Sequence, residues 1–285
     1  MAYRGVMNDV RKAVAMEKPD RLPVFMCSEE MDVRVCNSRY DRYNSDAGEM
    51  ARVQIESVER FDYDWAWLQV DDCIEFEPLG IGVRGGGDIL PATCAYLPTT
   101  SSSLERLCGH GYRVESRMGV LVDAIHKVKS HFGDAVCVTG RTAAPFSSVT
   151  LAFGMSETLM LLYEQPEFVV EAMKLFEEYQ TRFGLDQIAA GADAIWFGDC
   201  NASGHLVSPD IYERFAMEPA RRVSRRKPLL ALKVGRFASG RRAAASHTGA
   251  LAGAEAAFDA AFGRAGVIRA ATIQEMFTWA RALAW

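Results

Sequence analysis

The sequence predicts an α/β fold in which strands and helices alternate along a parallel sheet, and three observations predict it. Short apolar runs bounded by turn residues recur at 21–26 (RLPVFM), 65–70 (WAWLQV), 135–140 (AVCVTG) and 192–197 (ADAIWF), as buried strands of a parallel sheet do. Between them lie segments whose apolar residues repeat at helical spacing. Two of the runs also end abruptly in acids, at Asp71 and Asp72 and again at Asp199. Such a succession fits either the half-built wall of a (βα) barrel or an open doubly wound sheet. In both, chemistry sits beyond the carboxyl ends of the strands.

Each element follows from local signals. Val6, Val10, Ala13 and Val14 mark a first helix that stops at the Lys18-Pro19-Asp20 breaker. A second amphipathic helix covers 46–61. The GGG run at 85–87 reads as a hairpin or loop turn, since no strand-GxxxxGK-helix context surrounds it to make an anion nest. A helix over about 120–131, with Val122, Ile125 and Val128 on one face, feeds the 135–140 strand. The next helix takes Ser156 as its N-cap. Pro166 then opens a new helix whose stripe of Val169, Met173, Phe176, Tyr179 and Phe183 faces the core, and Gly191 ends it. The texture changes after about Arg221, where alanine and arginine rise. Strands are expected at 228–235 and 267–269, with an Ala-rich helix over 248–263 between them.

Composition narrows the function. A chain of 285 residues with net charge -5, its basic residues scattered except near 221–227, gives no field to gather nucleic acid or an anionic membrane. Seven cysteines, an odd number with no CxxC pair, fit reduced thiols in a cytoplasmic protein. The first residues lack the apolar core of a signal peptide, and no window is long enough to span a membrane.

Residues 8–223 resemble the uroporphyrinogen decarboxylase superfamily, which includes cobalamin-linked methyltransferases. EKPDRLPVF, DDCIEFEPLG at 71–80, TAAPFSSVTLAFG at 142–154 and GADAIWFGDCNASGHLVSP at 191–209 carry the likeness. The resemblance implies a TIM-barrel-like fold of which this chain holds the first four strand-helix units, an incomplete barrel. The decarboxylase branch matches less well, because its arginine-bearing motif is replaced by MCSEEMDVR, with only Arg34 nearby, and its active-site tyrosine falls at Leu151. Asp199 with Ala202-Ser203-Gly204 is similar to the methyltransferase branch. That branch implies zinc and a corrinoid protein partner, but its His-x-Cys and later Cys ligands have no counterpart here, so no metal ligand is assigned.

The C-terminal part, about 224–285, resembles the NDP-forming acyl-CoA synthetase family through RKPLLALKVGR, AAASHTGALAG and FDAAFGRAGVIRA. The resemblance implies an α/β CoA-ligase-like fragment with a junction near 222–227. It also implies that His247 is the histidine transiently phosphorylated, ahead of a helix N-terminus at Thr248.

The candidate site follows. Asp71, Asp199 and His247 are the expected catalytic residues, with Asp72, Phe146, Asn201, Ser203 and His205 expected to line a small-molecule site. For Asp71 and Asp72 a turn or cap role stands beside the functional one. A pairing of Cys200 with His205 on a metal lacks further ligands and reads as structural. The expected function is methyl transfer from a methylcorrinoid protein to a thiol. Tetrapyrrole decarboxylation is the alternative, and a non-catalytic fusion or partner-binding module is the third reading. Open sheet edges would favour a homodimer.

Overall fold

The computed structural model describes residues 3–15, 17–25, 31–68, 70–109, 116–204, 206–217, 230–232 and 268–270. Two compact units divide the chain: Met1–Arg11 with Asp20–Cys200, and Lys12–Pro19 with Asn201–Trp285. The division falls before the change of texture near 222–227.

The elements run α1 (Val6–Val14), α2 (Met31–Val35), α3 (Tyr40–Tyr43), α4 (Ala47–Phe61), β1 (Trp65–Trp67), β2 (Gly82–Gly86), β3 (Ile89–Ala95), α5 (Ser101–Gly109) and α6 (Arg117–Phe132). Then come β4 (Cys137–Ala143), α7 (Pro145–Phe153), α8 (Met155–Glu164), α9 (Pro166–Ala189), β5 (Ala194–Gly198), α10 (Pro209–Tyr212), β6 (Leu230–Leu232) and β7 (Ile268–Ala270).

The first unit is built on a parallel sheet of order β1-β4-β5. Trp67 stands opposite Thr139, and Arg141 opposite Trp196. Directly opposed residues share a face, so Trp67, Thr139, Arg141 and Trp196 lie on one side and Gly140 and Thr142 on the other. The Gly140 side is packed by α9, where Val169, Phe176, Tyr179 and Phe183 of the expected stripe are buried and Met173 is half-buried. On the opposite face Val6 and Met7 of α1 pack against Cys137.

Local chemistry explains the boundaries. Asp46 caps α4 by accepting from the N–H groups of Gly48 and Glu49 at 2.7 and 3.1 Å. Ser116 caps α6, and Pro166 occupies the first turn of α9. The GGG run leads into the turn of the β2–β3 hairpin: Gly85 and Gly86 end β2, and Gly87, at φ 63, makes the turn with Asp88.

Three expectations need correction. Residues 21–25 form no strand. Their link to the sheet is a hydrogen bond from Asp64 N to Val24 O at 3.1 Å, while the Val24 N–H is taken by the Asp64 carboxylate at 2.6 Å, so no ladder propagates. Leu22 and Phe25 are accordingly exposed, although Phe25 packs edge-on against Trp65. The β1 strand also stops at Trp67, short of residue 70. Ser156 is not a cap: α8 begins at Met155, with Gly154 at φ 94 in the N-cap position, because the chain turns there from α7 and only glycine adopts that angle without strain.

In the second unit β6 pairs in parallel with β7, close to the two late strands expected from the sequence. The Ala-rich helix between them lies outside the described residues. Among the described residues no single helix is long and apolar enough to cross a membrane, and α7 with α8 meets that length only across a 112° bend.

Candidate functional site

At the carboxyl ends of β1, β4 and β5 the first unit gathers Asp71, Asp72, Glu75, Arg141, Asp199 and Cys200. β4 delivers Arg141 within its last turn of extended chain, and its side chain is 2% exposed. Nη1 donates to Val70 O at 2.6 Å, and Nη2 donates to Asp72 Oδ1 at 3.0 Å. The guanidinium carbon lies 5.6 Å from the centre of the Trp196 ring, which touches Trp67 at 5.8 Å between centroids. Asp72 itself is 68% exposed.

Asp71 is held differently. Its carboxylate accepts from Asn44 Nδ2 at 2.6 Å, from Cys73 N at 3.0 Å, and from both Nη atoms of Arg117. Arg117 reaches on to Glu77 at 2.7 Å. Desolvation works against the Arg117 charge, but its bonds to Asp71 and Glu77 outweigh this and hold its pKa above the ordinary arginine value. The Asp71 carboxylate is thus engaged in a turn with Cys73 and in a buried ion pair with Arg117.

Asp199 follows β5 immediately. Its Oδ1 accepts from Ser147 N at 2.9 Å and Ser147 Oγ at 2.7 Å, in the first turn of α7. Burial pushes the Asp199 carboxyl up, and the Ser147 bonds offset part of that. Cys200 next to it is raised by burial and by Asp72 and Asp199, with Arg141 pulling the other way, which ties all four groups into one electrostatic neighbourhood. Glu75 is fully buried and pushed up by desolvation; it accepts from Thr142 Oγ1 and Ala143 N, both at 2.9 Å.

Of the expected residues, Asp71, Asp72 and Asp199 thus meet at one end of the sheet. Phe146 is a core side chain, 2% exposed in the first turn of α7. Asn201 and Ser203 belong to the second unit, where the Ser203 carbonyl accepts from Leu206 N and Val207 N in a tight turn. His205 and His247 lie outside the described residues. Arg141, Glu75, Ser147 and Arg117 were missed. The signal for Arg141 was present as a charge inside a buried run, hidden by ending the strand at Gly140.

Among the described residues no three His, Cys, Asp or Glu side chains converge on one point. Those residues do not fit a zinc ion.

The model of the uroporphyrinogen decarboxylase (URO-D) family matches residues 7–258, past the junction read from the texture. The chain is 21% identical over 211 residues to methylcobamide:CoM methyltransferase MtbA of Methanosarcina acetivorans, covering 72% of this chain and 61% of that protein. It is 26% identical over 181 residues to the uroporphyrinogen decarboxylase of Ovis aries, covering 60% of this chain and 47% of that one. A 67-residue segment is 55% identical to the ADP-forming acetate–CoA ligase I subunit alpha of Pyrococcus furiosus, which is 24% of this chain and 14% of that subunit. This chain therefore spans less than two thirds of each of these relatives. Among solved structures, a methyltransferase from Methanosarcina mazei superposes with a TM-score of 0.66 at 16% identity, over 81% of this chain and 70% of that one. The mixed α/β fold is thus that of a TIM-barrel-like URO-D or methyltransferase structure, and the chain belongs to the uroporphyrinogen decarboxylase (URO-D) family.

Proposed function

We propose that the chain is a methyltransferase-branch member that transfers a methyl group from a methylcorrinoid protein to a small thiol at the carboxyl ends of β1, β4 and β5. The observation that carries the choice of branch is the state of Asp71. A decarboxylase would need that carboxylate open to pyrrole N–H groups, whereas here Asn44, Arg117 and the Cys73 N–H occupy it. The relative covering the larger share of this chain is also a methyltransferase, which supports the same reading.

Asp199 is the proton acceptor in this proposal. Ser147 fixes Oδ1, and burial keeps the carboxyl less acidic than an exposed one, so it is better matched to a thiol. The thiol proton passes to Asp199 as the sulfur lone pair forms the new S–CH3 bond, and the electron pair of the broken bond stays with the corrinoid. The CoA-ligase-like similarity supports a fused segment near the C-terminus, with His247 as its reactive histidine.

The test is to incubate the full chain with methylcobalamin and 2-mercaptoethanol and follow the methyl thioether by mass spectrometry. Thioether formed by the unmutated chain and lost in Asp199→Asn supports the proposal. Carbon dioxide released from uroporphyrinogen, with no thioether, overturns it in favour of the decarboxylase branch.

A further inference from the structure

We propose that Arg141 anchors a carboxylate group of the small-molecule substrate, and that Asp72 holds the place of that carboxylate in the ligand-free chain. The proposal rests on the reading above only in placing the substrate at this end of the sheet.

A guanidinium offers two edges to an acceptor. On Arg141 one of them is spent on the backbone, since Nη1 donates to Val70 O at 2.6 Å and reaches Asp71 O at 3.5 Å. The other edge, made by Nε and Nη2, is the fork that grips a carboxylate with two parallel hydrogen bonds. Asp72 fills half of it. Its Oδ1 takes Nη2 at 3.0 Å, while Nε is buried with no hydrogen-bond partner.

A buried donor without an acceptor is costly, and natural structures rarely leave one unless another group completes it. A second orphan stands on the same face: Trp67 Nε1 is also buried and unpartnered, and its ring meets Trp196, which lies beside the Arg141 guanidinium. Two unmet N–H donors with an intervening aromatic ring call for a ligand rich in acceptors and poor in donors. An ionised carboxylate meets that description.

Asp72 is suited to give way. Its side chain is 68% exposed, so it moves into water without opening the core, whereas Arg141 is 2% exposed and pinned to the loop that follows β1. The incoming carboxylate would replace one charge partner by another, leaving the buried cation compensated throughout. No bond is made or broken in this step.

The experiment is a propionate titration of the full chain at constant ionic strength, with chloride as the balancing anion and tryptophan fluorescence as the readout. Saturable quenching is expected in the unmutated chain. Asp72→Asn should bind propionate about tenfold more tightly, because the competing charge is gone, and Arg141→Lys at least about tenfold more weakly, because an ammonium lacks the fork. Unchanged or weaker binding by Asp72→Asn overturns the proposal, as does full affinity in Arg141→Lys. Should Arg141→Lys fail to fold, Asp72→Asn decides alone. No methyl donor is present, so failed methyl transfer and failed carboxylate binding are separate results.

Discussion

The Gln187 side chain makes two hydrogen bonds with the main chain of Arg141: Oε1 accepts the Arg141 N–H and Nε2 donates to the Arg141 carbonyl, both at 2.9 Å. β1 ends at Trp67, opposite Thr139, so by Arg141 the β4 backbone has outrun that neighbour. A side-chain amide from α9 stands in for the missing strand. Gln187 is fully buried, and Nε2 also reaches Phe183 O within its own helix.

Gln187→Leu should therefore strand two backbone groups at the centre of the unit. Each costs about 1–3 kcal/mol when left unmet, so the expected loss is about 2–6 kcal/mol in urea unfolding. Gly140→Ala should act through the same contact, since a Cβ there would collide with Gln187 Oε1, an atom that its bond to Arg141 prevents from retreating. Full stability in both variants would show that the amide does not complete the sheet.

Asp71 and Arg117 supply the second prediction. Both side chains are largely removed from water, so breaking the pair leaves a buried charge without its partner, at about 3–5 kcal/mol. Arg117→Met alone should be strongly destabilised, and Arg117→Met with Asp71→Asn should recover part of the loss. A double-mutant cycle by urea unfolding measures the coupling. Coupling near zero would return Asp71 to the list of free carboxylates and revive the decarboxylase role.

Much of this arrangement was legible in the sequence. The 135–140 and 192–197 runs were long enough and apolar enough to identify β4 and β5, although β4 continues to Ala143, and Pro166 and Gly191 marked helix ends by local chemistry alone. RLPVFM has the same composition as a strand, yet strand formation needs a ladder of backbone partners, which the Asp64 side chain pre-empts at Val24. Placing Asp199 at the site needed only its position after a strand. What Arg141, Ser147 and Arg117 do depends on contacts 46 to 71 residues apart, which no local pattern encodes.

Glu75 should make neutral pH a cost to the fold. Burial raises its pKa above the usual 4.5, so folding works against its ionised form. Its contribution is fully present below the unfolded value and is lost as pH rises through the raised one. Glu75→Gln keeps an acceptor for Ala143 N and a partner for the Thr142 hydroxyl. The variant should match the parent near pH 4 and exceed its stability at pH 7. A variant weaker than the parent at both values would mean that the Glu75 charge is wanted.

Glu49 should have the opposite sign. Arg52 grips it with Nε at 3.0 Å and Nη2 at 2.8 Å, and Ser38 adds a third bond at 2.6 Å. The Arg52 contact does most to bring the carboxyl down to about 2, against the desolvation that would raise it. A depressed pKa stabilises the fold above the unfolded value of 4.5 and loses that stabilisation as pH falls toward 2. Glu49→Gln should therefore be weaker than the parent at pH 6, with the gap closing by pH 2.5 in urea midpoints. Arg52 is partly exposed, so the gap at pH 6 should also shrink in high salt. A gap that stays constant across both pH and salt would show that packing by the Glu49 side chain, and not its charge, holds α4 against the residues around Ser38.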